Sequence, residues 1–271
     1  MTPYSGNLGW VDLAVSALLI VLAGAVSLAW GLGIHRRLLI SAVRSVVQLL
    51  LLALVLQWLF AHASPWLTGL AAAVMLGFAA NEIFGRQDRR LTGAWGYGAG
   101  GLAITLAATA VTLFALAGPV RPEPWYDPRY AIPLLGMILG NVMTGIAVGL
   151  NTLTAAVARD RTAIEARLAL GHSRWRALGD TVRHALRTGL IGIVNSMSAA
   201  GIVFIPGMMT GQILAGQPPE EAARWQILIL FLIAGATAVG TVTAVMLTVA
   251  RLTDDRHRLR LDRLQTRGDG R

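Results

Sequence analysis

Seven apolar stretches dominate this chain, at residues 10–32, 38–60, 66–84, 92–116, 130–158, 186–214 and 225–250. Each is close to or beyond the roughly 20 residues that a helix needs to cross a bilayer core. Only 14% of the 271 residues are charged and 55% are apolar, with a mean hydropathy of +0.61; a soluble domain carries about 25% charged residues. The expected fold is an all-α integral membrane protein with about seven transmembrane helices. No long linker separates one span from the next, so residues 1–271 read as a single domain ending in a charged tail at 251–271.

The basic residues orient that bundle, because loops retained in the cytoplasm keep Arg and Lys. All 23 are arginines, and counted by loop they alternate twenty against three. The rich loops hold Arg36, Arg37 and Arg44, then Arg86, Arg89 and Arg90, then seven arginines between 159 and 187, then seven from Arg251 onward. The poor ones hold Arg121, Arg129 and Arg224. This predicts an external N-terminus and a cytoplasmic C-terminus. Seven of the eight tryptophans fall near span ends, where an amphipathic ring suits the headgroup region, and Trp175 alone lies in a polar loop. The leader MTPYSGNLGW has no basic stretch and reads as the start of a retained helix. A net charge of +9 stacked on one membrane face is explained by topology and anionic lipid, without nucleic acid.

Composition also excludes chemistry. Without cysteine there are no disulfides or thiolate sites, and without lysine there is no P-loop to hold nucleotide phosphates. Histidines at 35, 62, 172, 184 and 257 lack metal-ligand spacing. The chain is therefore not expected to be an enzyme or to bind a cofactor.

Polar residues inside spans mark candidate pathways or interhelical contacts. Arg44 and Gln48 stand one turn apart on the second span, where Arg44 is also placed to snorkel to the interface. Glu82 closes the third span within pairing distance of Arg86 at i+4, or of Arg44 across helices. Asn141, Asn151, Asn195 and Ser196 add hydrogen-bonding groups to the fifth and sixth spans. Pro206 followed by Gly207 predicts a kink or break in the sixth, just before Met208, Met209 and Gln212. GxxxG pairs at Gly96/Gly100, Gly136/Gly140, Gly145/Gly149 and Gly207/Gly211 predict close helix packing. The tail sequence RLTDDRHRLRLDRL reads either as frayed or as a continuation of the last helix, with Asp254 and Asp255 at helical spacings from Arg258.

The Arg-rich loop at 158–187 interrupts the apolar pattern. Its segment 162–178, TAIEARLALGHSRWRAL, predicts a short helix with Ile164, Leu168 and Leu170 on it, a turn at Gly171–Ser173, and a second helix carrying Trp175 and Leu178. Such an apolar knob with charged flanks suits a cleft on a soluble protein, or alternatively the lipid surface.

Glu165-Ala166-Arg167, followed after three residues by Gly171, resembles the EAA-x3-G loop of ABC-transporter permeases, which docks as a coupling helix into the ATPase subunit. Arg44-x3-Gln48-Leu49, Gly140-Asn141-x-Met143, LALG at 168–171, NSM at 195–197, PGMMTGQILAG at 206–216 and WQI at 225–227 resemble the FetB/YbbM permeases over nearly the whole chain. The resemblance implies the permease half of a bacterial ABC exporter in the inner membrane, a homodimer working with a separate ATPase subunit that binds ATP and Mg. Bacterial members are linked to iron export and plant relatives to aluminium tolerance; the metal-binding residues are unknown. Glu165, Ala166 and Gly171 would carry the coupling role, with Arg167 departing from the usual alanine. The span at 130–158, about 43 Å long against a core of about 30 Å, would carry motion toward the ATPase. An ATP-independent transporter or channel, and a non-transporting scaffold, are the alternatives.

Overall fold

The computed structural model describes residues 9–254, 256 and 258–266. Among the described residues, six helices are long and apolar enough to cross a membrane: α1 Trp10–Ala29, α2 His35–His62, α3 Pro65–Arg86, α4 Trp95–Ala115 with its π-helical extension Leu116–Val120, α5 Pro128–Arg159 and α10 Pro219–Leu252. Between α5 and α10 lie the shorter α6 Arg161–Ala169, α7 Arg174–Ala177, α8 Gly179–Ala199 and α9 Gly207–Leu214. Three of the spanning helices, α3, α5 and α10, open with proline in the first turn, where the missing N–H has no intrahelical partner to lose. Asp127 caps α5 by accepting from the Arg129 amide at 2.9 Å.

The sixth expected span, at 186–214, is not one helix. The chain leaves α8 at Ala200 in an extended conformation, turns through Gly201 at a φ of +81°, and resumes helix only at Gly207. Proline disfavours helix in the residue before it, so the break lies ahead of Pro206 rather than at it. Pro206 then supplies the carbonyl that accepts from the Thr210 amide at 3.0 Å, which makes it the start of the new helix.

The chain gathers into two compact units. In the first, α1 and α2 form a hairpin whose turn uses Gly31 and Gly33 at positive φ, with Ser27 Oγ accepting from the Ile34 amide at 3.2 Å. The second is centred on α5, which packs against α3, α4, α8 and α10. Ile138, Val142, Ile146, Leu150 and Leu153 of α5 are all buried in its core.

Small residues set how closely those helices meet. A methyl group on Gly189 of α8 would stand 2.8 Å from the Gly145 carbonyl oxygen of α5 and 2.8 Å from Thr241 Cγ2 of α10. On Gly149 it would meet Thr241 Cγ2 at 3.0 Å, and on Gly100 of α4 it would meet Ile83 Cγ2 at 2.7 Å. Gly145/Gly149 and Gly96/Gly100 are therefore true close contacts. Gly207 and Gly211 meet nothing within 4 Å, and of Gly136/Gly140 only Gly136 has a neighbour, Met75 Cε at 3.3 Å, so only two of the four expected pairs pack at both members.

The tail is not frayed over its described residues and does not continue α10 beyond Leu252; it holds only a 3₁₀ turn at Leu261–Arg263. After α10 the chain turns back at Thr253, and β2 Leu264–Thr266 pairs antiparallel with β1 Arg89–Leu91 in the α3–α4 connection. Leu259, Leu261 and Leu264, spaced two and then three residues apart across the 3₁₀ turn, pack against the core. Arg263 donates to the Arg251 carbonyl at 2.7 Å and its own carbonyl accepts from the Thr92 amide at 2.8 Å. Asp254 does pair with Arg258 at 2.9 Å, but within a turn. Asp255 and the leader residues 1–8 lie outside the described residues.

The tight junction yields a paired test. Gly189→Ala should lower stability by about 1–3 kcal/mol through overpacking. Gly192→Ala, three residues further along the same helix with open space around it, should be neutral or slightly stabilising. Thermal unfolding of the two variants in detergent checks this.

Candidate functional site

Asp160 both ends α5 and begins α6, and only Leu178 separates α7 from α8. The pair α6–α7 is thus a bracket between the long helices α5 and α8. The turn inside it is a Schellman cap: the Gly171 amide donates to the Leu168 carbonyl at 3.0 Å and the His172 amide to the Arg167 carbonyl at 3.1 Å. Gly171 sits at a φ of +84° with nothing near its missing Cβ, so glycine is required there by backbone conformation alone. Ser173 Oγ then caps α7 by accepting from the Arg176 amide.

The expected apolar knob is largely spent inside the chain. Ile164 is 1% exposed, and Leu168, Ala177 and Leu178 are also buried, because α6 and α7 lie back on the bundle core. What faces outward is Leu170, 79% exposed, and Trp175, 46% exposed, on either side of the Gly171 turn. The free apolar surface therefore lies at 170–175, C-terminal to Glu165 and Ala166. Ala166 is exposed, and Glu165 is tied to Arg161 at 2.8 Å.

Arg167 closes the bracket. Its guanidinium donates to the Ala177 carbonyl at 3.2 Å and stands 3.5 Å from Asp180 of α8. Alanine at this position would leave both partners without it. Asp180 also accepts from Arg183 at 2.6 Å, and this hydrogen bond, with the nearby Arg183 and Arg167 charges, holds its carboxyl below the usual range. The Arg159 guanidinium holds Asp160 down similarly. Arg174 reaches Thr253 at 3.5 Å, linking α7 to the folded tail. On α5, Asn151 donates to the Arg86 carbonyl at 2.9 Å and accepts from the Asp88 amide at 3.0 Å, which fastens the α3–α4 connection to the same end of the bundle.

Within the membrane part, α5 and α8 run antiparallel, with Gly145 opposite Gly189 and Gly149 opposite Ala185. Gly140, Asn141, Thr144 and Val148 form an exposed stripe on α5. Thr188, Gly192, Asn195 and Ser196 form one on α8 that is exposed or partly so. At about 100° per residue both stripes turn away from α10 on the same side of the glycine contact. The three hydroxyls bond back to their own helix, Thr144 to Gly140 O, Thr188 to His184 O and Ser196 to Gly192 O, and Asn141 gives one amide N–H to Met137 O, at 2.9–3.0 Å. With the hydroxyl protons committed, Thr144, Thr188 and Ser196 present acceptor oxygens to the open side, and Asn141 and Asn195 add amide oxygens with N–H groups beside them. Thr144 and Thr188 were not among the residues singled out from sequence; only the α5–α8 contact shows that they share a face with Asn141 and Asn195.

The other expected residues are dispersed. Arg44 and Gln48 lie on an exposed face of α2 beside Val43 and Val47. Glu82 pairs with Arg86 at 3.2 Å. Met208 and Gln212 line a cavity with Met137, and Met209 is not part of it. Among the described residues no three His, Asp or Glu side chains converge to hold a metal, and His257 lies outside them.

Comparison with known proteins follows the whole length of this architecture. The family model described as "Uncharacterised protein family (UPF0014)" matches residues 10–253. A "UPF0014 membrane protein" of Synechocystis is 36% identical over 255 residues, covering 93% of this chain and 96% of the relative. The "Probable iron export permease protein FetB" of Escherichia coli is 29% identical over 262 residues, 96% of this chain and 98% of the relative. "Protein ALUMINUM SENSITIVE 3" of Arabidopsis thaliana is 31% identical over 240 residues, 88% of this chain and 85% of the relative. No solved structure matches.

Two outcomes follow for the bracket. Gly171→Asn, which tolerates the left-handed conformation, should retain the turn, whereas Gly171→Val should lose about 1–2 kcal/mol locally; hydrogen exchange over 161–178 reads the difference. Because the Asp180 carboxyl is depressed, its contribution is present above the unfolded value near 4 and is lost as pH falls through the lower folded value. Exchange at 167–180 should therefore be flat from about pH 9 to 5 once corrected for intrinsic rates, and should rise only below about pH 4.

Proposed function

The chain belongs to the UPF0014 family, and on that footing we propose that it is the permease subunit of an ABC exporter, a multi-pass protein of the bacterial inner membrane with an external N-terminus. Two copies pair in the membrane, and each docks a separate ATPase subunit that binds ATP and Mg and supplies the energy. The observation that carries this reading is the bracket: α6 and α7 join the ends of α5 and α8, and the apolar surface they leave free is Leu170 and Trp175 beside the Gly171 turn. A push there moves α5 and α8 together, and their Gly145–Gly189 contact lies about 21 Å further along α5.

The cargo we propose is a metal cation, with iron carried over from the name of the Escherichia coli relative. The stripes of Asn141, Thr144, Thr188, Asn195 and Ser196 suit a cation through their hydroxyl oxygens, whose protons are committed to the helices, and through the amide oxygens of the two asparagines. Hydroxyl and amide oxygens suit hard ions. They hold them weakly enough for release.

Proteoliposomes containing this chain with its ATPase should move a metal cation only when ATP is supplied. Glu165→Gln and Gly171→Val should reduce ATP-coupled flux about tenfold, the scale of a coupling free energy near 1.4 kcal/mol, with membrane insertion intact. Wild-type transport-coupled ATPase activity in both variants contradicts the reading. Flux from the chain alone without ATP replaces it with a secondary transporter.

A further inference from the structure

A cavity of about 270 Å³ opens where the N-terminal ends of α5 and α10 meet α9. It has two chemically distinct ends of one wall. Arg129 stands at the surface with no ion-pair partner among the described residues, whereas Arg224 is held by Glu220. Gln212 lines the cavity, and its Oε1 is buried without a hydrogen-bond partner. Tyr130 and Trp225 flank the opening, and Met137, Leu134 and Ile229 make an apolar floor.

An unpaired guanidinium calls for an anion, and a buried orphan carbonyl oxygen beside aromatic rings calls for an N–H donor, best a cationic one. Both in one pocket call for a zwitterion carrying phosphate and primary ammonium. Tyr and Trp are the side chains that mark the membrane–water interface, which puts the opening at headgroup depth. The volume is just below the roughly 300 Å³ at which small-molecule pockets begin, room for a headgroup with its acyl chains left along the apolar floor and in lipid. We infer that this cavity is a phospholipid site selective for a phosphoethanolamine headgroup, with Arg129 on the phosphate and Gln212 Oε1 on the ammonium. The inference depends on the protein's lying in a membrane and is independent of the ATPase partnership and of the cargo.

Native mass spectrometry of the full chain, purified from nanodiscs of equal parts phosphatidylethanolamine, phosphatidylcholine and phosphatidylglycerol, tests it. One phosphatidylethanolamine should be retained per chain, about fivefold or more over the other two. Choline lacks N–H and glycerol lacks the cation. Gln212→Leu should abolish the preference over phosphatidylcholine, and Arg129→Leu, at an exposed position the fold does not need, should lower retention of all three. Equal retention of the three lipids by the wild-type chain, or the wild-type pattern in both variants, overturns the site. Saturation by soluble glycerophosphoethanolamine with no lipid retained would assign the cavity to a soluble ester and overturn the lipid proposal.

Discussion

The contact on which the larger unit depends is the approach of α5 to α8 at Gly145 and Gly189, with Thr241 of α10 wedged beside them. In lipid there is no hydrophobic gain from bringing two apolar helices together, so association rests on backbone proximity and packing. Glycine at both positions permits that proximity. It also fixes the rotation of each helix about its axis, and rotation decides which side chains are left facing outward. The polar stripes of Asn141, Thr144, Thr188 and Asn195 are exposed because the opposite faces of the same helices are committed to the glycine junction and to α10.

The same contact gives the bracket its leverage. Were α5 and α8 independent, displacing α6 and α7 would bend a loop. Held together along their length, they receive the displacement as a pair. Arg167, bonded to the Ala177 carbonyl and beside Asp180, keeps the bracket from opening between its two short helices. The tail adds a second tie, since Thr253 at the end of α10 lies within reach of Arg174 and the strand after it pairs with Arg89–Leu91. The ends of α3, α5, α7 and α10 are thus fastened in one cluster by main-chain and arginine hydrogen bonds.

Features governed by local chemistry were legible in the sequence. Apolar run length located the spanning helices, helical spacing located α6, and Pro206-Gly207 signalled an interruption. Features governed by distant partners were not. The strand that pairs with Leu264–Thr266 lies more than 170 residues earlier, so nothing near the tail distinguished a ribbon from a helix. Ile164 and Leu168 had the spacing of an apolar stripe, and spacing alone does not say whether the surface they cover belongs to this chain or to a partner. Of the four GxxxG pairs, the two that pack do so because Thr241, Ile83 and Leu91 come to meet them. The break ahead of Pro206 begins six residues earlier than the proline itself, where Gly201 supplies the positive φ.

The central claim is that the surface left free by the bracket, Leu170 and Trp175, is where a cytoplasmic ATPase docks. Photo-crosslinking from single probe positions in the assembled complex tests it most directly. Probes at Leu170 and Trp175 should capture the ATPase subunit, while a probe at the buried Ile164 should react only within the chain. Capture absent from both exposed positions in a complex that still hydrolyses ATP would contradict the account.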